Sequence, residues 1–486
     1  MKSKICLYII LLFPGIVCSA PEPVVVNDQR CLIMDERLIA ETRGDVEVEF
    51  HKPVEREIVF NADEPWEGNL CNYFTVFRDK DKFRMYYRGA NLDLEKMKHT
   101  HPIFTCYAES RDGIHWNKPD LGIVEFDDSK NNNIVREGKG TRNFVPFKDH
   151  NPDCKPEAQY KAVGRDGKQL FAFQSPDGFQ WSLMQEEPII TQGDFDSQNV
   201  AFRDRNHNEY RIYFRKSRNG YRDIMMSRSK DFRQWTEPQW LEISGTEKTH
   251  LYTNQVMPYY RAPHIYIGFP SRYIDRGWVS CTEKLSGLEH RKFRRKASER
   301  YGSAVTESLF MFGNNGISFR CFPEAFIRPG PENRERWVYA DNFQIWGIVP
   351  PAENEFDMSF FATEGSWRNE SVSLRRYTLR ADGFISLSAS MNGGVAVTPP
   401  LVFSGNHLSL NCSTSAAGSI RVEIRDAGGK PIEGYTLSEC PEIFGDSLKK
   451  TVEWEKQKDL SDLAGKPVRI LFELKDADLY SFRFGK

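Results

Sequence analysis

Asp194-Phe195-Asp196-Ser197-Gln198-Asn199-Val200-Ala201-Phe202-Arg203-Asp204 reads as a carboxylate-bearing loop, a short apolar strand and a turn. Its strand-and-turn part recurs. Asn72-Tyr73-Phe74-Thr75-Val76-Phe77-Arg78-Asp79, Asn143-Phe144-Val145-Pro146-Phe147-Lys148-Asp149 and Asn254-Gln255-Val256-Met257-Pro258-Tyr259-Tyr260-Arg261 repeat it closely. Asn342-Phe343-Gln344-Ile345-Trp346-Gly347 repeats it loosely. Recurrence of one supersecondary unit at this scale marks arrays and propellers.

A second shared element follows each repeat. Ser110-Arg111-Asp112-Gly113-Ile114-His115-Trp116 and Ser175-Pro176-Asp177-Gly178-Phe179-Gln180-Trp181 are hairpins of one form. Ser229-Lys230-Asp231-Phe232-Arg233-Gln234-Trp235 has Phe at the Gly position, and Asn314-Asn315-Gly316 and Ala381-Asp382-Gly383 are looser instances. Asp-Gly between apolar runs favours a tight turn because both residues tolerate positive φ. These hairpins are structural.

Five four-stranded units over roughly residues 60 to 392 predict an all-β fold, a five-bladed β-propeller. The Asn spacings are 71, 56, 55 and 88 residues, so the first and fourth blades carry long loops. The charged stretch 275–303, with Arg291 and Arg294, is one such insertion and reads as a solvated surface. Residues 21 to about 60 read as an extended arm that closes the ring. After Gly393-Gly394 the repeat stops, and alternating apolar and polar runs predict a β-sandwich. The expected divisions are a signal peptide at 1–20, the propeller at 21–392 and the sandwich at 393–486.

Lys2 and Lys4, the apolar run Ile5 to Val17 and the small residues Cys18-Ser19-Ala20 have the order of a secretory signal, so export is expected. Nothing later is long and apolar enough for a membrane span. The net charge of −2 argues against nucleic acid or an anionic membrane as partner. The eight cysteines after the leader are scattered without a C-x-x-C pair, which argues against structural zinc. No metal or cofactor is expected, with structural calcium and the oligomeric state left open.

Propeller topology selects candidate site residues. Loops before each inner strand and after each second strand converge on one face near the axis, where sites gather on a rigid scaffold. That rule collects Glu67, Arg88, Arg142, Asp194, Asp196, Arg215, Tyr252, Arg272, Glu324, Asp341 and Glu364. Clustered charges must pair with one another or bind something. Glycosidic cleavage uses one protonated and one ionised carboxyl group, and a third can tune the first. The expected roles are Glu324 as general acid, Asp196 as base or nucleophile and Glu67 as tuning carboxylate, with the others binding substrate. The arginines point to an acid group such as a uronate or sulfate.

On the Asn-led repeats, Tyr86-Tyr87-Arg88-Gly89, the Ser-x-Asp-Gly-x-x-Trp hairpins and the trailing sandwich, the chain resembles the five-bladed propeller glycoside hydrolases, the invertase-like and arabinanase-like group. The resemblance implies a glycoside hydrolase acting on a carbohydrate, with Asp196 as the middle-blade carboxylate. Glu67 stands where that group has aspartate. Mannoside phosphorylases belong to the same group. A lectin-like propeller without chemistry, a phosphorylase and a lyase using Tyr252 or His250 as base remain the alternatives.

Overall fold

The computed structural model describes residues 22–332, 336–368 and 371–485, so the expected leader lies outside the described residues. They divide into two units, one of residues 48–386 and one of residues 22–47 with 387–485.

The larger unit is the five-bladed propeller. Blade one runs from the inner strand Asn72–Asp79 through Lys82–Gly89 and Phe104–Ser110 to Ile134–Arg136. Blade two is Arg142–Lys148, Tyr160–Asp166, Gln169–Ser175 and Ser182–Leu183, and blade three is Val200–Asp204, Glu209–Arg218, Tyr221–Ser229 and Gln239–Trp240. Blade four contains Met257–Tyr259, Ala262–Gly268, Met311–Gly313 and Ser318–Cys321. A second sheet of His250–Leu251, Ser271–Asp275 and Ala304–Ser308 accompanies it. In blade five, bridges at Gln344 and Val349 lead to Asp357–Glu364 and Ser373–Arg380. The arm strand Val54–Asn61 then pairs with Ser373–Arg380 and closes the ring, as the sequence suggests.

The recurring pattern of the repeats has a physical cause in the joints between blades. Asp79, at the end of the first inner strand, accepts from Tyr160 of blade two at 2.6 Å. Asp149 likewise accepts from Tyr210 of blade three, and Asp204 from Tyr266 of blade four. Each aspartate also holds a cation, Arg84, Lys161 and Arg211 respectively. The hairpins clasp their neighbours from the other side. Tyr86 donates to the Gly178 carbonyl at 3.0 Å, and Tyr213 to that of Gly316 at 2.7 Å. The repeated asparagines bond backbone carbonyls: Asn143 and Asn199 both donate to Phe195 and Ser197. Aromatic packing fills the seam of blades four and five, where Phe310 and Phe384 stack at 4.5 Å.

The insertion in blade four departs from expectation. It forms three short helices, Ser280–Lys284, Leu288–Arg295 and Glu299–Ser303. Arg291 and Arg294 are 1% and 0% exposed. Arg291 donates to the carbonyls of Ser286, Gly302 and Trp337, and Arg294 to those of Tyr301, Tyr339 and Ser366. These guanidiniums anchor the insertion instead of coating a solvated face. Buried donors need acceptors, and carbonyls supply them here.

The smaller unit is the sandwich, built on two long strands, His407–Asp426 and Val468–Gly485, paired along most of their length with register shifts at Asn411/Cys412 and Thr414/Ser419. Leu408, Leu410, Ile420, Val422 and Ile424 alternate into its core with Ile470, Phe472 and Phe482. The expected divisions put residues 21–47 in the propeller and start the sandwich at 393. Here Val24–Asn27 pairs with Leu401–Phe403, and Arg30–Leu32 with Val468–Gly485, so the early strands complete the sandwich sheet. Among the described residues, six of the eight cysteines are buried. Among the described residues no helix is long and apolar enough to cross a membrane.

Candidate active site

A cavity of about 500 Å³ opens where the loops leading into the inner strands of the middle blades meet. This is within the range of small-ligand sites. Its lining includes Arg165, Lys168, Arg215, Arg222 and Arg300, with Asp194, Asp196 and His250. Five cations thus face two carboxylates.

Asp194 and Asp196 come from the loop before Val200–Asp204. Asp194 is pinned: the backbone N–H and hydroxyl of Ser217 both donate to its Oδ2 at 2.7 Å. Asp196 is about half exposed and ion-pairs with Nη2 of Arg215. Arg215, on the second strand of blade three, is 5% exposed, and its Nε and Nη1 are buried without a protein acceptor. Leaving buried guanidinium donors unmet is costly, so these nitrogens suit an incoming anion.

Arg215 also stands 4.5 Å over the ring of Tyr252, while Arg222 stands 5.4 Å from the same ring and 4.7 Å over Tyr273. Tyr339 donates to the Tyr252 hydroxyl at 2.7 Å. Tyr73, with Arg88 5.0 Å over its ring, donates to the Asp196 carbonyl at 3.0 Å. Burial by itself would raise the Tyr252 phenol, but the charges of Arg215 and Arg222 and the Tyr339 bond bring it below the ordinary tyrosine value. Burial, and then the neighbouring Tyr252, drive Tyr73 and Tyr339 the other way. Burial lowers Arg165 and Arg222, and the nearby Arg215 lowers them further. His250 is lowered by burial and then by Arg222 and Arg300, and its Nδ1 accepts the Arg222 backbone N–H at 3.2 Å. Mutual repulsion of this kind is relieved when an anion binds.

The other expected site residues lie elsewhere. Glu67 is 0% exposed. Its carboxylate accepts from Lys118 at 2.7 Å, from Asn133 at 3.3 Å and from Tyr87. Burial pushes its carboxyl up against the pull of Lys118. The tight turn that bonds Glu67 N–H to the Glu64 carbonyl folds this side chain into blade one, away from the cavity lining. Glu324 is exposed in the link after Ser318–Cys321 and does not line the cavity. Arg272 is occupied by Glu307 and the Pro323 carbonyl. Glu364 is held by Arg336 and Arg375. Asp341 is 0% exposed, 3.3 Å from Arg368, and raised to about 6 by burial against that pull. Arg88 holds the Leu70 carbonyl at 2.8 Å, and Arg142 is exposed outside the lining. So the expected set contributes Asp194, Asp196 and Arg215 to the cavity, with Tyr252 packed against Arg215.

Arg165, Lys168, Arg222 and Arg300 are missing from the expected set. Arg165 and Lys168 flank the turn after the second strand of blade two, a position the rule itself names. Arg222 pairs with Ser217 across the blade-three hairpin and is found only from register. Arg300 rides on the helical insertion.

No protein-family model matches the chain, and no curated protein matches it. Among solved structures it is similar to an N-acetylgalactosamine deacetylase from F. plautii in complex with blood group B trisaccharide, at 10% identity and a TM-score of 0.45, over 69% of this chain and 96% of that one. It is similar to a Bombyx mori GH32 beta-fructofuranosidase at 10% identity and a TM-score of 0.40, over 90% and 94%. A glycosyl hydrolase from Bacteroides ovatus matches at 12% identity and a TM-score of 0.36, over 72% and 96%.

Proposed function

We propose that this protein is a secreted carbohydrate-active enzyme that breaks a glycosidic bond in a glycan carrying acidic sugars. The observation that carries this reading is the excess of cations in the cavity around Arg215, whose two buried nitrogens have no protein acceptor. Guanidinium grips a carboxylate or sulfate with two parallel hydrogen bonds, and a desolvated guanidinium does so more strongly. Asp196, exposed beside that guanidinium, supports this reading as the carboxylate that would act on the sugar.

The test is a glycan panel of uronate-containing, sulfated and neutral oligosaccharides, with and without added phosphate. Cleavage and preferential binding of the acidic members are expected, with turnover reduced in Asp196→Asn. Phosphate-dependent cleavage would assign the cations to phosphorolysis. Binding of acidic glycans without any cleavage would make the propeller a lectin.

A further inference from the structure

We propose, resting on the acidic-glycan reading above, that the helical insertion of blade four adds a second sugar site beside the anion cavity, and that this site takes a neutral sugar bonded to the acidic one.

A second cavity, of about 530 Å³, lies on the insertion, and its lining includes Asp275, Trp278, Ser298, Glu299, Arg300 and Ser303. This volume too is within the range of small-ligand sites. Arg300 also lines the anion cavity, so the two hollows adjoin across one side chain. That side chain is exposed, and among the described residues it has no ion-pair partner. Its backbone is fixed on both sides. Nε1 of Trp278 donates to the Glu299 carbonyl at 3.3 Å, and Arg294 and Arg291 donate to the Tyr301 and Gly302 carbonyls, each at 3.1 Å. The same two arginines bind the Tyr339 and Trp337 carbonyls beyond the insertion. A segment anchored in this way presents its side chains before a ligand arrives, which lowers the ordering cost of binding.

The two cavities differ in charge. Five cations and two carboxylates line the first, whereas Arg300 is the cation that meets Asp275 and Glu299 in the second. Glu299 is paired with Arg295 at 2.9 Å. Asp275 has no cation partner among the described residues. Its Oδ1 accepts the Gly277 N–H at 3.0 Å and the Ser303 hydroxyl at 2.6 Å, which leaves Oδ2 for a ligand. An ionised carboxylate only accepts, so it takes a sugar hydroxyl in a charge-assisted bond and repels a second carboxylate or sulfate. Trp278 adds an apolar surface. Arg295 stands 4.9 Å over its ring, and the ring still lines the cavity, where the C–H face of a pyranose packs against it. A cationic hollow next to an acidic one selects a glycan whose charge changes at this step, with the acidic sugar in the first, a neutral sugar in the second and Arg300 between them.

The experiment measures calorimetric affinities of the full chain for three probes, in a glucuronate and a galacturonate series: the free uronate, a disaccharide joining it to a neutral hexose, and a disaccharide of two uronates. The mixed disaccharide should bind about 10-fold or more tighter than the free uronate, the gain from one charge-assisted hydrogen bond, and the diuronate should show no such gain. Trp278→Ala should weaken the mixed disaccharide about 3- to 10-fold and leave the free uronate as in the wild type. Asp275→Asn keeps an oxygen for Gly277 and Ser303 but removes the charge, so it should narrow the gap between the mixed and the diuronate probes about 2- to 5-fold. Where Trp278→Ala loses the free uronate as well, the insertion is disturbed and Asp275→Asn decides. Equal affinity for the free uronate and the mixed disaccharide overturns the second site while leaving the acidic-glycan reading intact. A diuronate bound more tightly than the mixed disaccharide, or an unchanged gap in Asp275→Asn, overturns the choice of a neutral sugar. Equal binding of acidic and neutral glycans overturns both readings.

Discussion

Arg215 joins two elements with one side chain: its Nη2 holds Asp196 on the blade-three loop, and its plane lies 4.5 Å over the ring of Tyr252. The carboxylate, the phenol and the anion-seeking nitrogens are therefore a single electrostatic unit. None of the three is expected to behave independently when another is changed.

Arg215→Ala should weaken binding of an acidic oligosaccharide by about 10- to 100-fold, since a charge-assisted hydrogen bond contributes about 1.5–3 kcal/mol. Arg215→Lys should recover little of this, because an ammonium lacks the planar fork. The same Ala variant removes the nearest cation from Tyr252, so its phenol should titrate higher. Calorimetric dissociation constants and the tyrosinate titration check both halves. Unaltered affinity in Arg215→Ala would remove the guanidinium from substrate recognition.

Asp341 predicts a pH signature in stability. Its carboxyl is raised to about 6 by burial, above the unfolded value. The stabilisation associated with its proton is fully present below the unfolded pKa, near 4, and is lost as pH rises through about 6. Relative to Asp341→Asn, the wild type should lose up to about 3 kcal/mol between about pH 4 and pH 7. Urea unfolding of both proteins across that range measures it, and a constant difference between the two curves would refute it.

Glu67 is expected to matter for folding and not for turnover. Its carboxylate is sealed in blade one against Lys118, so Glu67→Gln leaves that ammonium only the exposed Asp63 as a carboxylate partner and should cost about 1–3 kcal/mol. Adding Lys118→Met should restore much of that loss, and the double-mutant cycle isolates the pair. Turnover per folded molecule should stay at the wild-type level in the presence of substrate. A large fall in turnover with unchanged stability would return Glu67 to the mechanism.

The blades are legible in the sequence because their signals are local. An Asn-led apolar run and an Asp-Gly turn each lie within eight residues, and the extended arm before them supplies Val54–Asn61, which closes the ring. The site is legible only where the chain itself carries the group to the mouth, as with Asp194, Asp196, Arg215 and Tyr252. Glu67 meets the same positional rule, yet its partner Lys118 lies 51 residues away and draws it inward. Arg291 and Arg294 look solvated in a charged run because their acceptors are backbone carbonyls, which sequence cannot single out. The strands before residue 48 read as part of the propeller since their partners stand more than 350 residues later.

The glycine of the hairpin turn is required twice over at Gly316. Its φ is +75°, a conformation that side chains with Cβ adopt at a cost. A Cβ there would also fall within bonding distance of Nη1 of Arg211. That nitrogen donates to the Asn315 carbonyl at 2.6 Å, and Tyr213 donates to the Gly316 carbonyl, so the clasp between blades three and four leaves no room to shift. Gly316→Ala should therefore lose about 1–3 kcal/mol from backbone strain together with the displaced clasp. Gly167→Ala is the control. It has a φ of +56° with nothing within 4 Å of its Cβ, so it carries the strain alone. Chemical denaturation of the two variants should place Gly316→Ala clearly below Gly167→Ala. Equal losses would mean that the turn conformation matters and the inter-blade clasp does not.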